Sequence, residues 1–249
     1  MNSAIKKLIL SACFIASVDS VAATASYLDA SLSSDKRVEL LLEEMTLDEK
    51  IGQMCQFVGE ASDIDFDSKD TKTDYTLALG ARAGLIKEGK IGSFLKVSTF
   101  EEANILQSLA ETSRLKIPLL IATDAIHGHG MYMDATTIYA TQIGLAASFD
   151  PELAELMAEY TATEMRATGF HWAYSPNIEV VRDSRWGRIG ETFGEDPYLV
   201  TEMGNAMVRG YQGKDFGSES NVIASAKHFL GGGRVYNKNN GAPADDSER

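Results

Sequence analysis

Apolar residues recur along this chain in two alternating patterns. From Asp35 onward, Val38, Leu41, Leu42 and Met45 fall three or four positions apart, which predicts an amphipathic helix. Helical patterning returns over 77–87, 99–114, 151–168 and 197–212. Between these stretches lie short, nearly continuous apolar runs at 91–97, 118–123, 171–174 and 222–226, too brief for helices and read as buried strands. Start signals agree with the periods. Thr46-Leu47-Asp48-Glu49 has the form of a capping box leading into a helix that reaches Gln56. Asp196-Pro197 supplies an N-cap followed by proline at the first helical position.

Short apolar strands alternating with helices predict an α/β fold: a parallel sheet whose outer face is covered by helices. About four or five βα units can be counted, where a complete (β/α)8 barrel has eight and typically takes ~250 residues. The expected architecture is therefore TIM-barrel-like and incomplete. The acidic, Ser/Thr-rich stretch 63–74 reads as a solvated loop. No repeat, low-complexity block or interdomain linker interrupts the alternation.

Composition narrows the picture. With 249 residues, 44% of them hydrophobic, the chain can bury a substantial core as one large domain or two small ones. A formal net charge of −13 with 23 Lys+Arg argues against nucleic-acid binding and suits a neutral substrate. The first 25 residues read as a signal peptide: Lys6 and Lys7, an apolar stretch over 8–18, and the small-residue signal Ala23-Thr24-Ala25. That apolar stretch is shorter than the roughly 20 residues a bilayer span needs. The expected mature chain begins near Ser26 and is exported, periplasmic or extracellular. Leu10-Ser11-Ala12-Cys13 offers the alternative of a lipoprotein anchored at Cys13. Without the leader one cysteine remains, Cys55, so no intramolecular disulfide is possible, and its apolar setting predicts a buried, inert thiol.

The polar residues with most chemistry gather after the predicted strands. One group is Thr123-Asp124-Ala125-Ile126-His127-Gly128; a second is the Gly-punctuated loop 183–197 with Arg185, Arg188 and Glu191; a third is Lys227-His228-Phe229. Carboxylates accept and guanidinium or ammonium groups donate, and hydroxyls of a neutral polyol need both. Singly, Asp124 could cap a helix, Lys227 could lie along an apolar surface and His228 could be a satisfied core residue. Three such groups ending successive strands favour one polar-ligand site at the carboxyl edge of the sheet.

These same motifs, Arg185-Trp186-Gly187-Arg188 with Glu191-Thr192-Phe193-Gly194-Glu195-Asp196-Pro197, the Asp124 segment, and Lys227-His228-Phe229-Leu230-Gly231, resemble glycoside hydrolase family 3, the β-glucosidase and exo-glucanase family. The likeness runs from about Asp35 to Gly231. It implies a (β/α)8 barrel-like N-terminal domain followed by an α/β sandwich domain, with a β-glucoside or β-glucan oligosaccharide as substrate. It implies that Asp124, Arg185, Lys227 and His228 hold the non-reducing terminal sugar, with Glu191 organising its loop by pairing with arginine. No metal or organic cofactor is implied. Leu230 and the absence of a second histidine disfavour the branch acting on N-acetylhexosamines. Ser184 stands where the family usually has proline.

Retaining glycosidases need two carboxyls about 5–5.5 Å apart. The family's nucleophile lies in a Ser-Asp-Trp type motif beyond the Lys-His-Phe strand and its acid/base later still, so no catalytic carboxylate is expected in this chain. Over 232–249 both the apolar periodicity and the resemblance fade, as a frameshift or premature stop would produce. The expectation is the N-terminal part of a longer β-glucosidase-like hydrolase, cut after about five of eight strands. The alternative is a non-catalytic remnant or carbohydrate-binding fragment.

Overall fold

The computed structural model describes residues 26–59, 79–184, 186–214, 217–229 and 232–233. The leader, the acidic stretch 63–74, Arg185, Leu230, Gly231 and the tail from Arg234 lie outside the described residues. The chain divides into two units, Met1–Met45 and Thr46–Arg249. In the first, α1 (Ser34–Glu44) starts where Ser33 accepts a hydrogen bond from the Lys36 N–H, and it buries none of its residues. Val38 and Leu42, half of its predicted apolar face, are exposed.

The second unit opens with α2 (Leu47–Gln53) on the predicted capping box: Thr46 Oγ1 accepts from the Glu49 N–H at 3.2 Å, and Glu49 Oε2 accepts from the Thr46 N–H at 2.9 Å. The helix stops three residues earlier than its sequence pattern predicts. Beyond Met54 the chain enters a strand that sequence patterning misses, β1 (Gln56–Val58). The reason is long-range: the Cys55 carbonyl accepts from the N–H groups of Gly92 and Ser93, which pulls the chain into the sheet. Cys55 is only partly buried, unlike the expected core thiol.

The remaining elements follow in alternation: α3 (Ala81–Lys87), β2 (Ser93–Leu95), α4 (Phe100–Ala110), β3 (Leu120–Thr123), a short α5 (Gln142–Ala146), α6 (Pro151–Ala167), β4 (Trp172–Ala173), α7 (Pro197–Gln212) and β5 (Ile223–Ala224). All strand pairings are parallel, in the order β1-β2-β3-β4-β5, so each strand lies beside its sequence neighbour. This is the barrel-like α/β arrangement expected, with five strands among the described residues. β2 to β5 are shorter than the apolar runs that announced them.

Side chains alternate across the sheet with period two. Phe57, Phe94, Ile121, Ala173 and Ala224 belong to the helix-covered core, and Phe94, Ile121 and Ala173 are completely buried. Each large side chain of this kind contributes about 1.5–3 kcal/mol by leaving water. The other face mixes aliphatic side chains such as Leu95 and Leu120 with polar and aromatic ones: Gln56 donates to Ser93 Oγ and to the Tyr174 hydroxyl, and Trp172 Nε1 donates to Ser225 Oγ. Helices α6 and α7 pack closely because Gly210 has no side chain; a Cβ there would lie 2.2 Å from the Glu155 carbonyl oxygen. From α7, the buried Tyr211 hydroxyl donates to the Ala125 carbonyl at 2.6 Å and is paired with the Ser175 hydroxyl at 3.2 Å. Those bonds anchor the helix to the segments that follow β3 and β4, where the polar residues collect.

Candidate functional site

Asp124 is the residue after β3, and Lys227 lies beyond β5 where a parallel bridge joins Asn177 to Lys227. Both therefore sit at the carboxyl edge of the sheet. The Lys227 ammonium reaches across β4 to donate to Asp124 Oδ1, with side-chain exposures of 15% and 20%. Next to this pair opens a cavity of about 490 Å³, walled by Lys96, Asp124, His127, Tyr132, Arg188, Glu191 and Lys227 among others. A few fixed polar groups lining a cavity of this size can orient a ligand.

The loop 183–197 forms another wall, and its apolar residues explain its order. Trp186 is buried with Val181 and Ile189, and Phe193 joins the main core. The Val181 N–H donates to the Gly194 carbonyl, closing the loop, and Gly194 takes a positive φ of 107° that suits glycine. Asp196 then caps α7 by accepting from the Tyr198 and Leu199 N–H groups. Between these anchors Arg188 donates through Nε and Nη2 to both oxygens of Glu191, at 2.9 and 2.6 Å. Asn177 Nδ2 adds a third bond to Glu191 at 3.0 Å. Burial pushes the Glu191 carboxyl up, but the hydrogen bonds and charge of Arg188, aided by Asn177 and Lys227, outweigh it and hold the group below its ordinary value. The same fork raises the Arg188 guanidinium. An ionised Glu191 with both oxygens engaged organises the loop and cannot supply a proton.

His228 behaves differently from its neighbour. Its backbone N–H donates to Glu179 Oε1 at 3.1 Å and its ring Nδ1 bonds the same oxygen. His228 is absent from the cavity walls, whereas Asp124 and Lys227 are both present. Arg185 lies outside the described residues. The structure thus joins Asp124 with Lys227, joins Arg188 with Glu191 as the sequence implied, and holds His228 on a carboxylate beside them.

Four residues of this neighbourhood escape the sequence reading. Lys96 follows β2 as Asp124 follows β3, but the apolar run over 91–97 places it inside the predicted strand, which hid it. Tyr132 lies in the loop after Asp124; burial, then the nearby charges of Asp124 and Glu191, raise its hydroxyl. Asn177 and Glu179 carry no sequence signal, because their partners are side chains 14 and 49 residues away. His127 was quoted within its motif, and its buried Nδ1 at the cavity wall has no partner among the described residues. Such an atom is costly unless a ligand or water meets it. Chemically the cavity offers fixed donors and ionised acceptors together. Among the described residues, no group of three or more potential ligands converges on a metal position.

The chain is similar to known proteins over most of its length. The model of the glycosyl hydrolase family 3 N terminal domain matches residues 46–248, a span that includes the stretch after Gly231 where the sequence pattern fades. The periplasmic beta-glucosidase of Salmonella typhimurium is 34% identical over 209 residues, covering 82% of this chain and 25% of that protein. A beta-xylosidase of Formosa agariphila is 39% identical over 168 residues, 64% of this chain and 23% of its own length. Among solved structures, the Listeria innocua beta-glucosidase in complex with glucose superposes with a TM-score of 0.67 at 36% identity, over 82% of this chain and 28% of that one. This chain therefore spans about a quarter of the length of the relatives it matches.

Proposed function

The chain belongs to glycosyl hydrolase family 3, and from that premise we propose that its cavity is the wall of a subsite for the terminal non-reducing sugar of a β-glucoside. In the complete protein this wall serves hydrolysis with retention by a β-glucosidase-type enzyme. The observation that carries the reading is the Asp124–Lys227 pair, formed between two strand ends at the edge of a cavity with room for a pyranose. A sugar hydroxyl donates to Asp124 and accepts from Lys227, so each hydroxyl exchanges its water partners for a fixed donor and a fixed acceptor. Arg188, held flat by Glu191, adds a second cationic surface, and Arg185 is the further family ligand in the same loop.

The carboxylates that break the bond come from outside this set. Asp124 is committed to holding hydroxyls, and Glu191 has no proton to give and no free oxygen with which to attack. This chain supplies binding and orientation, which are the parts of catalysis that immobilise the substrate. The leader-like first 25 residues and the periplasmic name of the Salmonella typhimurium relative support export to the periplasm or the exterior. Among the described residues no helix is long and apolar enough to cross a membrane.

The test pairs binding with turnover. Saturation-transfer NMR on the purified chain is expected to detect glucose, with the sugar signal lost in Asp124→Ala, while a nitrophenyl β-glucoside stays intact. Hydrolysis of the nitrophenyl glycoside by this chain would overturn the assignment of Asp124 and Glu191 as non-catalytic. Equal glucose signals from the chain and from Asp124→Ala would overturn the subsite.

A further inference from the structure

Glu179 is buried to 3% side-chain exposure and lines no part of the cavity, yet the His228 imidazole hangs on it. One oxygen, Oε1, takes both the backbone N–H and the ring Nδ1 of His228. Among the described residues the other, Oε2, is buried with no hydrogen-bond partner. The backbone at Gly232 closes over this carboxylate so tightly that a Cβ there would lie 2.4 Å from Glu179 Cγ. A buried carboxylate with an unmet oxygen is costly, so its place in the fold calls for a compensating role. Tying two strand ends together would account for the bond to the His228 backbone. It does not account for the ring being turned onto the same oxygen.

The orientation has a chemical consequence. An ionised carboxylate only accepts, so a neutral imidazole facing it carries its proton on Nδ1 and keeps a lone pair on Nε2. The His228 side chain is 45% exposed, and with Nδ1 bonded to Glu179 the ring nitrogen left for another partner is Nε2. We propose that Glu179 is a positioning residue that locks His228 in the Nδ1–H tautomer, making Nε2 a hydrogen-bond acceptor for a hydroxyl of the bound sugar. The inference rests on the sugar-subsite reading and deepens it. Lys227, the adjacent residue, lines the cavity and can only donate; His228 stands next to it outside the cavity wall, so its lone pair serves a hydroxyl that projects past Lys227.

Long-range proton–nitrogen correlation on the full ¹⁵N-labelled chain reads the tautomer of each imidazole, and the chain has four histidines to assign. At about pH 8.5, above the ordinary histidine pKa, His228 is expected to show a protonated Nδ1 and an unprotonated Nε2. Glu179→Leu is expected to release the ring to the Nε2–H form, and Glu179→Gln, which keeps an acceptor oxygen, to restore Nδ1–H. Glucose added to the unmodified chain is expected to shift the Nε2 resonance. A His228 that is Nε2–H in the unmodified chain overturns the proposal, as does an unchanged tautomer in a folded Glu179→Leu. Should that variant fail to fold, the unmodified chain alone decides. An Nδ1–H ring indifferent to glucose removes the sugar reading and not the role of Glu179. An Nε2–H ring that responds to glucose removes the role of Glu179 and not the subsite.

Discussion

Glu49 and Asp124 both meet a cation from a distant part of the chain, and what separates them is the space alongside. Glu49 Oε1 accepts from Arg114 Nε at 3.0 Å, and its Oε2 accepts from Arg114 Nη2 at 2.6 Å and from the Thr46 N–H and hydroxyl at 2.9 Å each. The void beside it is about 10 Å³, walled by residues such as Ile86, Ile91 and Leu115, room for at most a single water. Asp124 pairs with Lys227 through one oxygen, beside about 490 Å³ of open cavity. Ion pairing alone does not mark a ligand site. A pair whose acceptors are all engaged and whose surroundings are filled holds the fold; a pair with accessible acceptor capacity next to a cavity can hold a hydroxyl.

The largest expected effect falls on the filled pair. Glu49→Ala removes the reciprocal cap, worth about 1 kcal/mol, and charged hydrogen bonds to Arg114, worth about 1.5–3 kcal/mol. A loss of roughly 3 kcal/mol lowers the melting temperature by about 10 °C for a chain of this size, with glucose affinity unchanged. Glu49 also has a pH signature. The Arg114 hydrogen bonds, against burial and with help from Thr46, hold its carboxyl down to about 2 from an ordinary 4.5. A depressed folded-state pKa gives stability that is complete above about pH 4.5 and lost as pH falls toward about 2. Thermal melts in that window should therefore converge for the unmodified chain and Glu49→Ala.

At the open pair the order reverses, with binding hit harder than folding. Lys227→Met is expected to weaken glucose binding about tenfold or more, equivalent to ~1.4 kcal/mol or above, while the melt moves less than in Glu49→Ala. Isothermal titration and calorimetry on the same preparations check both halves. If Lys227→Met destabilises the fold as much as Glu49→Ala and leaves binding intact, the contrast between the two pairs disappears.

Glu191→Gln should fall between. Losing one half of a fork whose partners are 23% and 32% exposed costs about 1 kcal/mol, with a few-fold loss of glucose affinity as the Arg188 guanidinium is held less firmly, read by the same titration. Smallest is Arg209→Ala. Its pair with Glu155 lies between α6 and α7 with both side chains largely exposed, and a melt shift equivalent to under about 0.5 kcal/mol is expected. A larger shift would mean that exposure is a poor guide to what an ion pair contributes in this fold.

Local signals in the chain announced whatever depended on local physics. Thr46 and Glu49 stand three residues apart, and Asp196 precedes Pro197, so both helix starts were readable and both are present. Asp124 and Lys227 were readable because each directly follows an apolar run. What depended on distant partners was hidden. β1 is three residues long and becomes a strand only by pairing with Ser93 to Leu95, so the apolar stretch around Cys55 looked like a helix end. α5 has no side-chain cap to announce it. Glu179 sits in a stretch without motif or period, and its partner is 49 residues later. Contacts of that range are set by the register of the sheet, which no local pattern encodes.

The central claim is that the open pair, and not the filled one, belongs to a sugar subsite. Backbone amide mapping of the ¹⁵N-labelled chain during a glucose titration tests it most directly. The account predicts saturable shifts at Asp124, Arg188, Glu191, Lys227 and His228, with Glu49 and Arg114 unmoved. Shifts that fail to saturate, or that centre on Glu49 and Arg114, would contradict it.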